Sequence, residues 1–208
     1  PQKPLSFRAR DVYSKKNFKY KLFPDENIES FKSFSLRNGG TDWGNTMIKD
    51  VLSQDITEES MDLDNRFFRP ASVYINGEWQ GVYYLRVNTD AKYPKELYGI
   101  SNDSIDVIKG NGALEGDPID YNAWLNNLQN LDLTDSLNFV SIANEMDVEN
   151  YTHHVLSVLF FGNKKWATEN SFQWKGKNDS SKWRWFLRGM DESMNLVNID
   201  SVLLDFVT

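Results

Sequence analysis

The spacing of histidine, cysteine and acidic side chains limits what chemistry this chain can hold. There is no cysteine, which excludes disulfides and cysteine-based zinc sites. His153 and His154 are the only histidines and are adjacent. Neighbours on a helix point about 100° apart, so they are poor co-ligands for one ion. They read as ordinary helix residues, one of them half-buried. Asp103, Asp106, Asp117 and Asp120 read as scattered loop acids. A calcium loop needs acids at tight alternate positions, and this spacing does not provide them. Aromatic residues reach 14%, enough for sugar stacking, yet no spacing singles out an exposed platform. Trp166, Trp174, Trp183 and Trp185 read as packing, because tryptophan is usually mostly buried. Taken alone, Lys164-Lys165 is a solvated loop, and Asp191 is a cap on the turn that follows it.

The elements that must position any site follow from pattern. Leu5 to Phe23 reads as strand-rich. Phe34 to Leu36 is a short strand, turned by Arg37-Asn38-Gly39-Gly40. Met47, Ile48, Val51 and Leu52 make a helical stripe within Thr46 to Leu52. Asn76-Gly77 lies between two β-rich runs, Ala71 to Ile75 and Glu78 to Leu85. This pair is the strongest short hairpin signal, because both turn residues need positive φ. Ile105 to Ile108 reads as a further strand, and the Gly-, Asn- and Asp-rich stretch from Asn111 to Pro118 as a link between lobes. Helices are expected at Tyr121 to Leu128, at Leu137 to Met146, and from an Asp147 cap to Phe161, ended by Gly162. Ser171 to Trp174 and Lys182 to Leu187 form a late hairpin. Strands first and helices later predict an α+β architecture, with a β-rich lobe over 1–110 and a mostly helical lobe over 111–208.

Composition narrows the partners. The 208 residues suit one domain, or one domain with two lobes. Basic residues number 23 and acidic residues 30, a formal charge of −7, and no basic run appears. Nucleic acid and anionic membrane surfaces are therefore poor partners. No apolar run approaches the roughly 18 residues of a membrane span. The chain opens on Pro1 rather than Met, which reads as an internal piece of a longer protein.

Several segments together resemble the CotH kinase family, the spore-coat-type atypical protein kinases. They are Phe34-Ser35-Leu36-Arg37-Asn38-Gly39-Gly40-Thr41-Asp42-Trp43, Ile48-Lys49-Asp50, Arg69-Pro70, and the hairpin from Tyr74 to Arg86. Gly162-Asn163, Trp166, Asn170 and Lys182-Trp183-Arg184-Trp185 follow in order. The resemblance implies a kinase-like two-lobed fold, with ATP and Mg²⁺ or Mn²⁺ between the lobes. It implies protein substrates at a cell or spore surface, coat proteins among them, and so an extracellular or surface location.

Kinase chemistry needs a carboxylate to accept the substrate hydroxyl proton, an Asn five residues later on metal, and an Asp beyond it on the bridging metal. The resemblance puts Lys165 where the family carries the basic Asp, and keeps Asn170 at the right spacing. A lysine is protonated at neutral pH, its ordinary pKa being about 10.4, and cannot accept that proton. Where the family has Asp-x-Asp, this chain has Gly189-Met190-Asp191, which leaves Asp191 and Asn170 as metal candidates. Where the family has Leu-Arg-Glu, this chain has Leu85-Arg86-Val87. Arg37, Lys49 and Lys3 match basic positions near the nucleotide, although Lys49 is equally well a surface charge. The expectation is a degenerate kinase-like module, a pseudokinase. Two alternatives stand beside it. One is an active kinase, phosphorylating Ser or Thr of surface proteins, that uses Glu169 or Asp191 as base and Lys165 as a γ-phosphate clamp. The other is a glycan-binding or structural module.

Overall fold

The computed structural model describes residues 2–13, 16–100, 105–166, 171–178 and 180–195. Within them the chain is α+β, as its element order implied. Strands β1 (Leu5–Arg8), β4 (Ser33–Arg37), β5 (Phe68–Ile75) and β6 (Glu78–Val87) form one antiparallel sheet in the order β1-β4-β6-β5. A two-stranded ribbon of β2 (Phe18–Lys19) and β3 (Ser30–Phe31) flanks it in sequence. The β5–β6 turn has Asn76 at φ 52° and Gly77 at φ 84°, the conformation the Asn-Gly pair favours.

Helix α1 (Lys49–Glu58) starts later than its apolar stripe suggested, because Met47 takes φ 62° outside the helix. Its buried face is also largely polar. Asp50, Ser53, Gln54 and Thr57 are buried beside Val51, while Ile48 and Ile56 are exposed. Hydrogen bonds therefore fix it as much as apolar packing does. Gln54 donates to the Leu187 carbonyl at 2.9 Å and accepts from Arg66 N–H at 2.6 Å. Such fully satisfied buried polar groups hold one unique arrangement.

A short helix, α2 (Lys92–Tyr98), closes on Gly99 at φ 68°. The second sheet runs β10-β9-β7-β8, from β7 (Ile105–Lys109), β8 (Gly112–Glu115), β9 (Phe172–Gly176) and β10 (Arg184–Trp185). The late hairpin is present as β9 and β10. Residues 111–118 depart from the sequence reading. They supply the turn and second arm of a β7–β8 hairpin rather than a link. Asp106 is likewise a buried strand residue, accepting from Asp117 N–H at 2.9 Å and facing Lys177 at 3.2 Å. Asp103 lies outside the described residues.

Helices α3 (Ile119–Asn130), α4 (Ser136–Glu145) and α5 (Val148–Phe160) fall where periodicity put them. Asp135 and Asp147 cap α4 and α5 by accepting from Leu137 and Asn150 N–H. Trp166, Trp174, Trp183 and Trp185 are all buried, as packing residues should be. Trp183 and Trp185 join Ile108, Tyr121, Trp124 and Ile142 in one apolar cluster. Arg184, between them, faces the other way and binds Asp62, Asp64 and Asp147. This pins the start of α5 to the late hairpin. No helix among the described residues is long and apolar enough to cross a membrane.

Candidate functional site

The loop after α5 and the loop after β10 meet. Asn163 is fully buried; its amide donates to the Gly189 carbonyl at 3.1 Å and its oxygen accepts from Lys165 N–H at 3.1 Å. Gly189 takes φ 67°, in the left-handed region that glycine enters most readily, and starts the tight turn Met190–Glu192. One side chain therefore sets where Lys165 and Asp191 stand relative to each other.

Lys165 points its ammonium at Glu192, 3.1 Å away. Asp191 is buried and engaged on both oxygens. Its Oδ2 accepts from Thr41 N–H at 2.8 Å and from the Thr41 hydroxyl at 3.1 Å, and its Oδ1 lies 3.6 Å from Arg37. Gly40 permits this approach, since a Cβ there would overlap Asp191 Oδ2. Lys49 donates to Asn195 at 2.8 Å and faces Asp42 at 3.8 Å. Asp42 itself accepts from Thr46 and from Lys49 N–H at the start of α1. Burial pushes the Asp42 carboxyl up, but these hydrogen bonds reverse the shift and hold it below the usual carboxylate range.

Behind this rim lies a buried ionic layer. Arg86 on β6 is fully buried, 3.0 Å from Asp50 of α1. The other Asp50 oxygen accepts from Met190 N–H at 3.1 Å. Burial raises the Asp50 carboxyl, but Arg86, Arg66 and Arg37 outweigh it and keep the group ionised below its ordinary range. Arg66 is buried and donates twice to the Val87 carbonyl. Arg188 lies over the Phe172 ring at 3.7 Å and donates to Thr89. Burial and the neighbouring Arg37 push Arg188 down to about 10.

The sequence candidates thus separate. Arg37, Lys49, Lys165 and Asp191 lie around the Met190–Glu192 turn and the residues after it. Lys3 is exposed, beside a Gln2 that bonds to the Gln80 and Val82 carbonyls. Asn170 and Glu169 lie outside the described residues. The Val87 side chain packs with Phe23, Ile28 and Phe31 on the face opposite Arg86, so an apolar residue there serves the core. Asp50 and Arg86 lay inside quoted motif segments, and Arg66 and Arg188 outside them; none was singled out as a candidate, because nothing local to them shows that they come together.

Among the described residues, the carboxylates near the turn (Asp42, Asp50, Asp191, Glu192) each hold a cation or an N–H donor. Among the described residues, no group of three or more His, Cys, Asp or Glu gathers as metal ligands.

A family model described as CotH kinase protein matches residues 1–205 of the chain. No curated protein matches the chain.

Proposed function

The chain belongs to the CotH kinase family, and from that premise we propose that it is a kinase-like module that binds a phosphate-bearing ligand without transferring phosphate. The observation that carries this reading is the Lys165–Glu192 pair. On this reading an ammonium stands at the position of the family's basic Asp, and Glu192 pairs with it. Asp191, which would hold the bridging metal, is committed to Thr41 and Arg37.

The kinase-like layout has support from Asp50 and Arg86. Protein kinases join a strand lysine to a helix glutamate. Here a strand arginine joins a helix aspartate in the same sense. On this reading the lobes are 1–110 and 111–208. Strand β7 crosses that division, since it precedes residue 110 and pairs with β8 and β9. ATP is the nucleotide the family reading implies, and Arg37, Lys49 and Lys3 are its proposed contacts. A surface location and coat-protein partners belong to the same reading.

Magnitudes favour silence over slow activity. A positioned base contributes roughly 10²- to 10⁴-fold, and each tenfold is about 1.4 kcal/mol of barrier. Loss of an open metal ligand adds to that. The test is to incubate the chain with γ-labelled ATP and Mg²⁺ or Mn²⁺, then separate the products. The reading expects intact ATP and no labelled protein; stoichiometric labelling of the chain or of a generic acceptor refutes it.

One observation favours a glycan-binding reading. Tyr74 and Trp79 are cross-strand partners on the β5–β6 hairpin, 63% and 61% exposed. Two adjacent exposed rings can stack on a sugar. A thermal-shift series against a glycan panel, repeated on Trp79→Ala, separates this reading from the first.

A further inference from the structure

A cavity of about 510 Å³ opens beside the C-terminal half of α1. It lies between that helix, the loop from Phe23 to Glu26 and the residues that lead into β5. Ligand sites have volumes of roughly 300–1,000 Å³. None of Arg37, Lys49, Lys165 and Asp191 lines it, so it is a different place from the Met190–Glu192 turn. Phe23, Phe67 and Phe68 give it an apolar wall. A second hollow, of about 210 Å³, shares Glu58, Asn65 and Phe67 with it and continues to Leu97 and Tyr98.

The charge of the cavity is one-sided. Asp25, Glu26, Asp55 and Glu58 line it together with Arg66 and Arg69, an excess of two negative charges. The Arg66 guanidinium is engaged elsewhere, donating through Nε and Nη2 to the Val87 carbonyl. None of the four carboxylates has a hydrogen bond or ion pair among the described residues. Burial pushes the Glu26 carboxyl up, and the charges of Glu58 and Asp25 push it further. Burial raises Glu58 as well, with Asp55 and Glu59 adding to it.

The helix itself adds to the imbalance. Asp55, Glu58 and the C-cap Glu59 stand at the end of α1, whose last turn carries no basic residue. Unpaired carbonyls give a helix C-terminus partial negative charge, which cations stabilise and acids do not. The open carboxylates and the unbalanced helix end both call for positive charge at one place.

Among the described residues the four carboxylates do not gather as a metal-ligand group. Acids set apart around an aromatic wall suit a cation on an apolar stem. An alkylammonium is a compact charge with three rotatable donors, its methylenes pack on apolar surface, and aromatic faces attract it. We infer that this cavity binds a primary alkylammonium group, supplied by a free polyamine or by the lysine side chain of a peptide. Glu26 and Glu58 hold the ammonium, and the three phenylalanines cover its stem. The inference goes beyond the phosphate-binding reading and does not rest on it.

The experiment is calorimetric titration of the intact chain with spermidine, with an end-blocked pentapeptide carrying one lysine, and with Mg²⁺, at matched ionic strength. The tighter of the two amines should exceed Mg²⁺ at least tenfold. Spermidine tighter than the peptide assigns a free amine; the peptide equal or tighter assigns a side chain. Glu26→Gln and Glu58→Gln should each lose about tenfold in affinity, or about 1.4 kcal/mol. Neither carboxylate has a partner to lose, so both variants should fold, and thermal melts check that they do. Glu78→Gln removes an exposed charge at the start of β6, outside the cavity, and should bind as the parent does. All three variants change the net charge of −7 equally, so the comparison separates this cavity from diffuse attraction. Absence of amine binding at tens of millimolar overturns the inference. Mg²⁺ as tight as both amines overturns it too, as does a loss in Glu78→Gln equal to that in Glu58→Gln.

Discussion

Asp50 touches Arg86 through one oxygen, at 3.0 Å, and the Met190 N–H through the other, at 3.1 Å. This single carboxylate joins helix α1, strand β6 and the turn that carries Asp191. Three segments far apart in sequence are held in register by one buried charge.

Removing that charge leaves Arg86 buried and unpaired. Asp50→Ala should therefore lower stability by about 3–5 kcal/mol, the usual cost of breaking a buried ion pair from one side. Chemical denaturation measures it. Asp50→Leu combined with Arg86→Met removes both charges and should recover most of the loss; a double variant as unstable as Asp50→Ala would show that the pair is not the cause.

His154 gives a pH signature. Burial pushes its imidazole down to about 4, and neither ring nitrogen has a partner. The unfolded chain takes up the proton first, near the ordinary 6.5. The contribution of neutral His154 is complete above that pH and is lost as pH falls toward 4, roughly 3 kcal/mol in all. The ring packs edge-on against Trp166, 5.7 Å between centroids, so the loop bearing Lys165 should loosen in the same window. Thermal melts from pH 7 to 4 check this. His154→Leu should flatten the slope between 6.5 and 4, while lowered carboxyls such as those of Asp42, Asp50 and Asp62 still release their stabilisation below about 4.

Gly40 is constrained twice, by φ 64° and by Asp191 against its α-carbon. Gly40→Ala should cost about 1–3 kcal/mol of stability and displace Asp191 from Thr41. Gly44 also has positive φ but open space around it, so Gly44→Ala carries strain without the clash and should cost less. Comparing the two by urea unfolding isolates the clash.

Local rules carried well into the fold. Asn76-Gly77, Asp147 and Gly162 each act through their own backbone or that of residues close by, so a sequence window contains the whole cause. Where two local meanings compete, the sequence is ambiguous. Gly110-Asn111-Gly112 serves a tight hairpin as well as a linker, and only pairing of β7 with β8 decides. Helix α2 carries Pro94 and has no apolar stripe of its own, so it was not expected. The candidate site was half legible. Resemblance pointed to Lys165, Asp191, Arg37 and Lys49, whereas the arginine layer comes from four scattered segments that only the tertiary fold brings together. Val87 is a core residue, because alternate strand residues face opposite sides.

The most direct measurement is ADP formation from ATP with Mg²⁺ or Mn²⁺, by the chain and by Lys165→Ala side by side, with a generic protein acceptor present. The account predicts that neither exceeds the protein-free blank. Robust turnover by the parent that survives Lys165→Ala would contradict it, because a competent base and metal site would then exist apart from the Lys165–Glu192 and Asp191–Thr41 pairs.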